Sequence, residues 1–181
     1  MDLEWEKVWT KKWLLVCNVN DIPNIGDFYN FKIGKESIII IRSSEENLNA
    51  FYNVCPHRGN RLINDDMGFL NKIGCSFHSW SFDLDGKNER ILDKETFREE
   101  ILCNDLNLSK VKCEIACGFV WISMNEDAGG VRDYLGPVAD YLDNYQIEEM
   151  KVVRHVNSLW NANWKTGLEA FYETYHLSTV H

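Results

Sequence analysis

A mostly β chain is the expectation, and three observations carry it. From residue 13 to residue 124, short segments rich in Ile, Val, Phe and Tyr recur, each closed by Gly, Asn, Asp or Ser, which is the pattern of strands and tight turns. Helical spacing is confined to residues 2–10 and to the chain beyond "NEDAGG", where apolar positions recur at three and four. No internal repeat and no low-complexity run interrupts the pattern. The first ~125 residues therefore read as β, and the last ~30 begin something else.

Each element has its own signal. Residues 2–10 read as a short helix with Trp5 and Trp9 one turn apart. "WLLVCNV" (13–19), "DFYNFKI", "SIIIIR" and "LNAFYNV" read as strands, the last three separated by "GKE" and "SSEEN" turns. "KIGCSF", "WSFDL" and the "DGK" turn continue the pattern, and "VKCEIACGFVWISM" (111–124) reads as two strands broken near Gly118. "VRDYLGPVADYLDNYQ" has helical spacing, with Tyr134, Val138, Tyr141 and Leu142 on one face and Pro137 as a point where it splits. "KVVRHVNSLW" alternates as a strand does. "NANWKTGLEAFYETYHLSTVH" reads as a helix opening near Asn161 or Asn163.

Composition bounds the function. The chain has 181 residues, 45% hydrophobic and 13% aromatic, enough to bury a core in one domain or one domain plus part of another. A formal net charge of −9 argues against nucleic acid and against an anionic membrane as partners. No apolar run approaches the ~18 residues of a membrane span. "MDLEWEKVW" has neither the basic leader nor the apolar stretch of a secretory signal. Six cysteines without such a signal point to the cytoplasm, where paired Cys more often bind metal than form disulfides.

Chemistry concentrates in two loops. "CPHRG" (55–59) holds Cys55 and His57, and "CSFH" (75–78) holds Cys75 and His78, in a chain with five His and six Cys. Three readings compete. Two buried Cys and two surface His is the bland one, but each His stands two or three residues after a Cys, and both loops carry tight-turn residues. A zinc site is the second, but zinc fingers pair Cys with Cys and His with His, whereas each loop here supplies one of each. The third is a [2Fe–2S] cluster with two Cys on one iron and two His on the other. Replacing two thiolates by neutral imidazoles makes such a cluster easier to reduce, with a potential roughly between −150 and +300 mV. The outer ring nitrogens can also bond a carboxylate and pass an electron or a proton.

The pattern C-x-H-x17-C-x2-H resembles the Rieske iron–sulfur domain, and "RSSEENLNAFYNVCPHRGNRL" with "CSFHSWSFDLDGK" resembles the Rieske oxygenases in particular. Respiratory-chain Rieske proteins carry a further Cys three residues after the first His, where this chain has Asn60. The oxygenases usually have Pro and Gly where Ser76 and Ser79 stand. Ser79 must either tolerate the local backbone or aim its hydroxyl at the cluster and tune it.

The C-terminal run is the second site. Glu169, Glu173 and His176 are spaced i, i+4, i+7 along one helical face. His176 and His181 are about 140° apart on an ideal helix and converge only if the helix ends or bulges, with "LSTV" as a plausible place. Taken alone, the run is an amphipathic helix whose His residues sit at its C-terminal end. Beside the two loops it resembles the mononuclear-iron motif of the oxygenase catalytic subunit, on which Asn163, Trp164, Lys165, Glu169, Glu173, Tyr175, His176 and His181 fall in order. That resemblance implies His176 and His181 as two ligands of a 2-His-1-carboxylate Fe(II) site. It also implies Glu173 as the catalytic acid bridging the two metal centres; most ring-hydroxylating members have Asp there, and Glu is similar to what some quaternary-ammonium demethylating members use.

The resemblance implies a Rieske [2Fe–2S] β-sandwich domain at 28–125. An N-terminal helix and strand (1–27) precede it, and a linker helix and the first strand and helix of a truncated α+β catalytic domain (126–181) follow. It implies an oxygenase that passes electrons from the [2Fe–2S] cluster to mononuclear Fe(II) for O2-dependent hydroxylation of an aromatic or other small organic substrate. The alternatives are a quaternary-ammonium demethylating monooxygenase of the same family and a Rieske ferredoxin. A free ferredoxin would end before the helix at 131 and lack the C-terminal run. The implied partners are a ferredoxin or flavin reductase as electron donor, O2, the substrate, and further copies in a homotrimer. There the ring N–H of His78 or His57 meets Glu173 of a neighbouring subunit. Because the family's third iron ligand lies far downstream, the 181 residues are expected to hold the cluster but not to turn over substrate.

The remaining candidates read as structural. Cys113 and Cys117 fit a strand pair as small apolar residues, and Cys17 and Cys103 are expected to be inert. His155 is expected to be structural or exposed. Trp5, Trp9, Trp13, Trp121 and Trp160 are expected in the core, Trp80 as a shield for the cluster, and Arg58 in a bond to a carbonyl or acid near it.

Overall fold

Period-two burial explains the centre of the molecule. In the computed structural model, which describes residues 2–154 and 156–180, the run Ile38 to Ile41 has no exposed surface at all. Ile39 and Ile41 pack with Phe28, Phe51, Leu62 and Ile73, while Ile38 and Ile40 pack with Val16, Ile22, Val120 and Ile122. Successive side chains of a strand face opposite ways, so four adjacent Ile serve two cores. Burying each contributes roughly 2 kcal/mol.

That strand is β3, Glu36–Arg42. Around it lie β1 (Leu14–Asn18), β2 (Asp27–Ile33), β4 (Leu48–Tyr52), β5 (Met67–Phe69), β9 (Lys110–Ala116) and β10 (Phe119–Ser123). They form one antiparallel sheet in the order β1-β10-β9-β4-β3-β2-β5. Leu14 and Val16 of β1 share a core with Ile38 and Ile40 although three strands separate β1 from β3, so the sheet curls upon itself. A smaller sheet, β6 (Ile73–Gly74), β7 (Ser81–Phe82) and β8 (Asn88–Arg90), runs in the order β6-β7-β8. Its Ile73 and Phe82 close the core that holds Ile39 and Ile41.

The structure is mostly β, as the sequence predicts, and the departures have reasons. "KIGCSF" yields only two strand residues because Cys75 leaves the ladder to start a loop. β5, only three residues long and all exposed, is too short to show an alternation, and the polar β8 carries no apolar signal; neither is among the strands expected from the sequence. The turn joining β9 to β10 has Cys117 (φ 54°) and Gly118 (φ 75°) both left-handed, the geometry that matches strand twist.

The chain divides into two units, Met1–Met150 and Lys151–His181. The first opens with the helical turns α1 (Asp2–Glu4) and Trp5–Trp9 and also carries α2 (Glu99–Leu102). It includes α3 (Val131–Leu135) and α4 (Pro137–Asp143), which split at Gly136–Pro137. The face that the spacing picks out is only partly the packed one. Tyr134, Val138 and Tyr141 are exposed, while Val131 and Ala139 pack with Trp13 and Trp121, and Leu135 and Leu142 join them. Small side chains fit beside the two indoles, and the tyrosine hydroxyls stay in water, where those of Tyr141 and Tyr145 bond at 2.7 Å.

In the second unit, α5 (Trp164–Tyr172) opens at Asn163, whose side chain accepts the Lys165 N–H at 3.0 Å. α6 (Leu177–Val180) follows. The strand expected at "KVVRHVNSLW" is absent among the described residues, with Val153 and Leu159 almost fully exposed; a lone extended segment with no partner has no ladder to complete. Trp160, expected in a core, is 55% exposed, with its indole N–H donating to Ser158 Oγ. His155 lies outside the described residues.

Candidate metal centre

The two chemistry-bearing loops are one turn built twice. In the first, after β4, the Cys55 N–H donates to the Asn60 carbonyl at 2.8 Å and the Gly59 N–H to the Cys55 carbonyl at 2.9 Å. In the second, between β6 and β7, the Cys75 N–H donates to the Trp80 carbonyl at 2.8 Å and the Ser79 N–H to the Cys75 carbonyl at 3.0 Å. Closing this turn puts the fourth residue after each Cys in the left-handed region, Gly59 at φ 71° and Ser79 at φ 57°. Gly does so freely and Ser at a cost of roughly 1 kcal/mol. Ser79 takes the backbone that Gly59 takes in the first loop, as one of its two expected roles requires.

The loops bring their donors together by element. Cys55 and Cys75 are 1% and 4% exposed, sunk among Phe51, Leu62, Ile73, Trp80 and Phe82, and in that shared core each thiol is close enough to act on the other's ionisation. The rings of His57 and His78 meet edge to face with centroids 4.8 Å apart. Each loop supplies a Cys and a His, but in space sulfur lies with sulfur and imidazole with imidazole. Among the described residues no three His, Cys, Asp or Glu converge on a point that one ion could occupy. A tetrahedral zinc ion requires such convergence; a two-iron cluster requires only two protein donors per iron. The pairs fit the second.

One atom tests the fit directly. Nδ1 of His57 is buried with no hydrogen-bond partner, an arrangement that costs about 1–3 kcal/mol unless something takes the nitrogen. The ring is held there deliberately. Trp80 stacks on it at 4.9 Å and 5° between planes, and Phe97 stands edge-on to both rings at 5.8 Å. Trp80, 1% exposed, therefore covers the site as expected. Phe97 does so too, and no motif marked it.

Electrostatics prepare the donors. Burial pushes the Cys55 thiol up, more than the N–H groups of His57 and Arg58 pull it down. Burial also opposes ionisation of Cys75, but the N–H groups of His78 and Phe77, the Cys55 thiol and the Asn60 amide outweigh it and bring Cys75 down. Burial, then the neighbouring His78 and Arg58, lower His57 and keep it in the neutral form that ligates metal. Arg58 itself is exposed and bonds no carbonyl or acid among the described residues, contrary to expectation; its charge acts on His57 through space.

Asn53 locks the first loop at its base. Its Oδ1 accepts the N–H groups of Leu62 (3.0 Å) and Ile63 (2.9 Å), while Nδ2 donates to the Ile63 carbonyl (2.6 Å) and Ser37 Oγ (3.0 Å). Ser37 Oγ donates in turn to Asn30 Oδ1 at 2.7 Å. Sequence reasoning missed Asn53; its only signal is a polar residue closing an apolar strand two positions before Cys55.

The second expected site is only partly in view. α5 ends at Tyr172, so Glu169, Glu173 and His176 do not share one continuous helical face: Glu173 stands in extended backbone at φ −107°. Its carboxylate accepts the N–H groups of Tyr175 (2.6 Å) and His176 (3.2 Å) and bonds the His176 ring at Nδ1. The break falls before His176, and "LSTV" is itself helical. His181 lies outside the described residues. Cys113 and Cys117 are packing residues, Cys117 donating to the Ala139 carbonyl at 3.5 Å.

Two loops that sort two thiols from two imidazoles define a Rieske-type iron–sulfur fold, and residues 12–100 match the Rieske [2Fe-2S] domain. The chain is 31% identical over 99% of its length to the glycine betaine monooxygenase oxygenase subunit of Pseudomonas aeruginosa (strain UCBPP-PA14), covering 42% of that protein. It is 33% identical over 98% of its length to the carnitine monooxygenase oxygenase subunit of Escherichia coli (strain K12), covering 48% of that protein. A crystal structure of the quaternary ammonium Rieske monooxygenase CntA in complex with L-carnitine superposes with a TM-score of 0.88 at 33% identity, over 98% of this chain and 51% of that one. The chain carries a Rieske [2Fe-2S] domain and is similar over almost its whole length to the oxygenase subunits of Rieske monooxygenases. It spans about half the length of the relatives it matches. The Rieske domain binds a [2Fe–2S] cluster, and the oxygenases use a mononuclear iron besides. Among the described residues no helix is long and apolar enough to cross a membrane.

Proposed function

We propose that the chain is the electron-entry half of an oxygenase that acts on a quaternary ammonium substrate. The single observation that carries the cluster assignment is the pairing of Cys55 with Cys75 and of His57 with His78 across the loops, with His57 Nδ1 buried and unpartnered. In this reading the two Cys hold one iron and the two His the other. When bound, the cluster supplies one-electron transfer and the mononuclear iron supplies O2 activation.

The protein's own groups do the rest. Trp80 and Phe97 exclude water from the His57 face, and the loop N–H groups stabilise the two thiolates. His176 and His181 are the proposed mononuclear iron ligands. Glu173 orients the His176 ring, as its bond to Nδ1 supports, and bridges to the cluster of a neighbouring subunit in a homotrimer. A ferredoxin or flavin reductase is the proposed electron donor. The substrate reading takes up the quaternary-ammonium alternative that Glu173 already suggested, in place of the aromatic or other small organic substrate first expected. It rests on the likeness, over 98–99% of the chain, to a glycine betaine and a carnitine monooxygenase.

The experiment is reductant-driven O2 uptake by the intact protein, with carnitine, glycine betaine and an aromatic acid in parallel. Uptake stimulated by a quaternary ammonium compound alone supports the proposal, and stimulation by the aromatic acid alone overturns the substrate assignment. Glu173→Gln should slow electron transfer about 10-fold or more with both metals retained; an unchanged single-turnover rate refutes the bridge.

A further inference from the structure

Asn60 crosses between the two loops. Its Nδ2 donates to the Arg61 carbonyl at 2.8 Å, a partner that only accepts, so the amide cannot be turned the other way round. The second proton of the same Nδ2 points across the gap to the other loop, where Cys75 Sγ lies at 3.7 Å and Ser76 Oγ at 3.4 Å. One side chain thus ties the end of the first loop to the start of the second, and one of its partners is a sulfur assigned to the cluster. We propose that the Asn60 amide clasps the two loops together and, by donating to Cys75 Sγ, holds the reduction potential of the cluster up.

The direction follows from charge. Reduction adds a negative charge to the cluster and its thiolates, and a fixed N–H donor stabilises the more negative state more strongly. Cys55 receives no comparable side-chain donor among the described residues; its loop partners are the backbone groups of His57 and Arg58. Asn60 is therefore a positioning residue that acts through Cys75. The inference rests on the cluster assignment, and the two fail differently. Absence of acid-labile sulfide defeats the assignment, whereas sulfide with unchanged potentials defeats the clasp.

The test is a redox titration of the purified 181-residue chain carrying its cluster, monitored by visible absorption and electron paramagnetic resonance. Asn60→Ala should shift the reduction equilibrium roughly two- to tenfold toward the oxidised form, tenfold being 59 mV for a one-electron couple. Asn60→Leu keeps most of the volume and removes the donor without adding charge, so it should lower the potential as Ala does. If the side chain only filled space, Leu would match the parent chain. Unchanged potentials in Ala, or a potential in Leu equal to that of the parent chain, would overturn the proposal. Should Asn60→Ala fail to hold a cluster, Asn60→Leu carries the test alone.

Discussion

Asn53 is 5% exposed and uses both amide hydrogens and both oxygen lone pairs. Asn53→Ala would strand the N–H groups of Leu62 and Ile63 at the base of the Cys55 loop and leave the Ile63 carbonyl with the longer bond from Asn30. The expected loss is about 3 kcal/mol by chemical denaturation; a loss under ~1 kcal/mol would show that the loop holds itself. Ser79→Gly makes the opposite case. It relieves a left-handed Ser and should stabilise the chain by up to ~1 kcal/mol, with the midpoint potential unmoved. A lowered potential would restore the tuning role for the hydroxyl. At this scale the four residues of the candidate site were legible because their spacing is covalent: Cys55 and His57, like Cys75 and His78, cannot be far apart. The roles of Asn53, Asn60 and Phe97 were not legible because their partners lie on other segments.

Elements were legible where one period dominated. Strands β2, β3, β4, β9 and β10 follow the alternation of their apolar residues, and even a run of four Ile resolves into two faces. In α3–α4 the spacing marks the helix but not its packed side: Val131 and Ala139, with Leu135 and Leu142, lie beside Trp13 and Trp121, while Tyr134, Val138 and Tyr141 are exposed. The helix through the C-terminal run was read too long because Glu173 takes the Tyr175 and His176 N–H groups that a continuing helix would use. The "DGK" turn allows a sharp test. Gly86 has φ +79°, and a Cβ there would meet Phe51 Cε1 at 2.3 Å, a ring with no exposed surface. Gly86→Ala should cost at least ~2 kcal/mol by denaturation. A variant as stable as the parent would mean that the turn can rearrange without disturbing the core.

The whole molecule couples burial to pH and to metal. Burial pushes the thiols of Cys17 and Cys113 up to about 12, with Asp21 adding to the first and Glu114 to the second. Unfolded, each would ionise near the ordinary thiol value of 9.0. The folded-state value is the higher, so the stabilisation is complete below pH 9 and is lost as pH rises through 12. Melting temperature should fall steeply over that window, and Cys17→Ala with Cys113→Ala should flatten the fall. At pH 8 Cys103, the exposed cysteine, should alkylate first, with Cys17 and Cys113 silent. Prompt labelling of Cys17 would contradict the packing.

The central claim, that Cys55, His57, Cys75 and His78 together hold a two-iron cluster, is tested most directly by assaying metal and acid-labile sulfide in the purified chain. The account predicts two irons and two sulfides per chain, with both lost in Cys75→Ser. Zinc without sulfide, or a cluster that persists in Cys75→Ser, would contradict it.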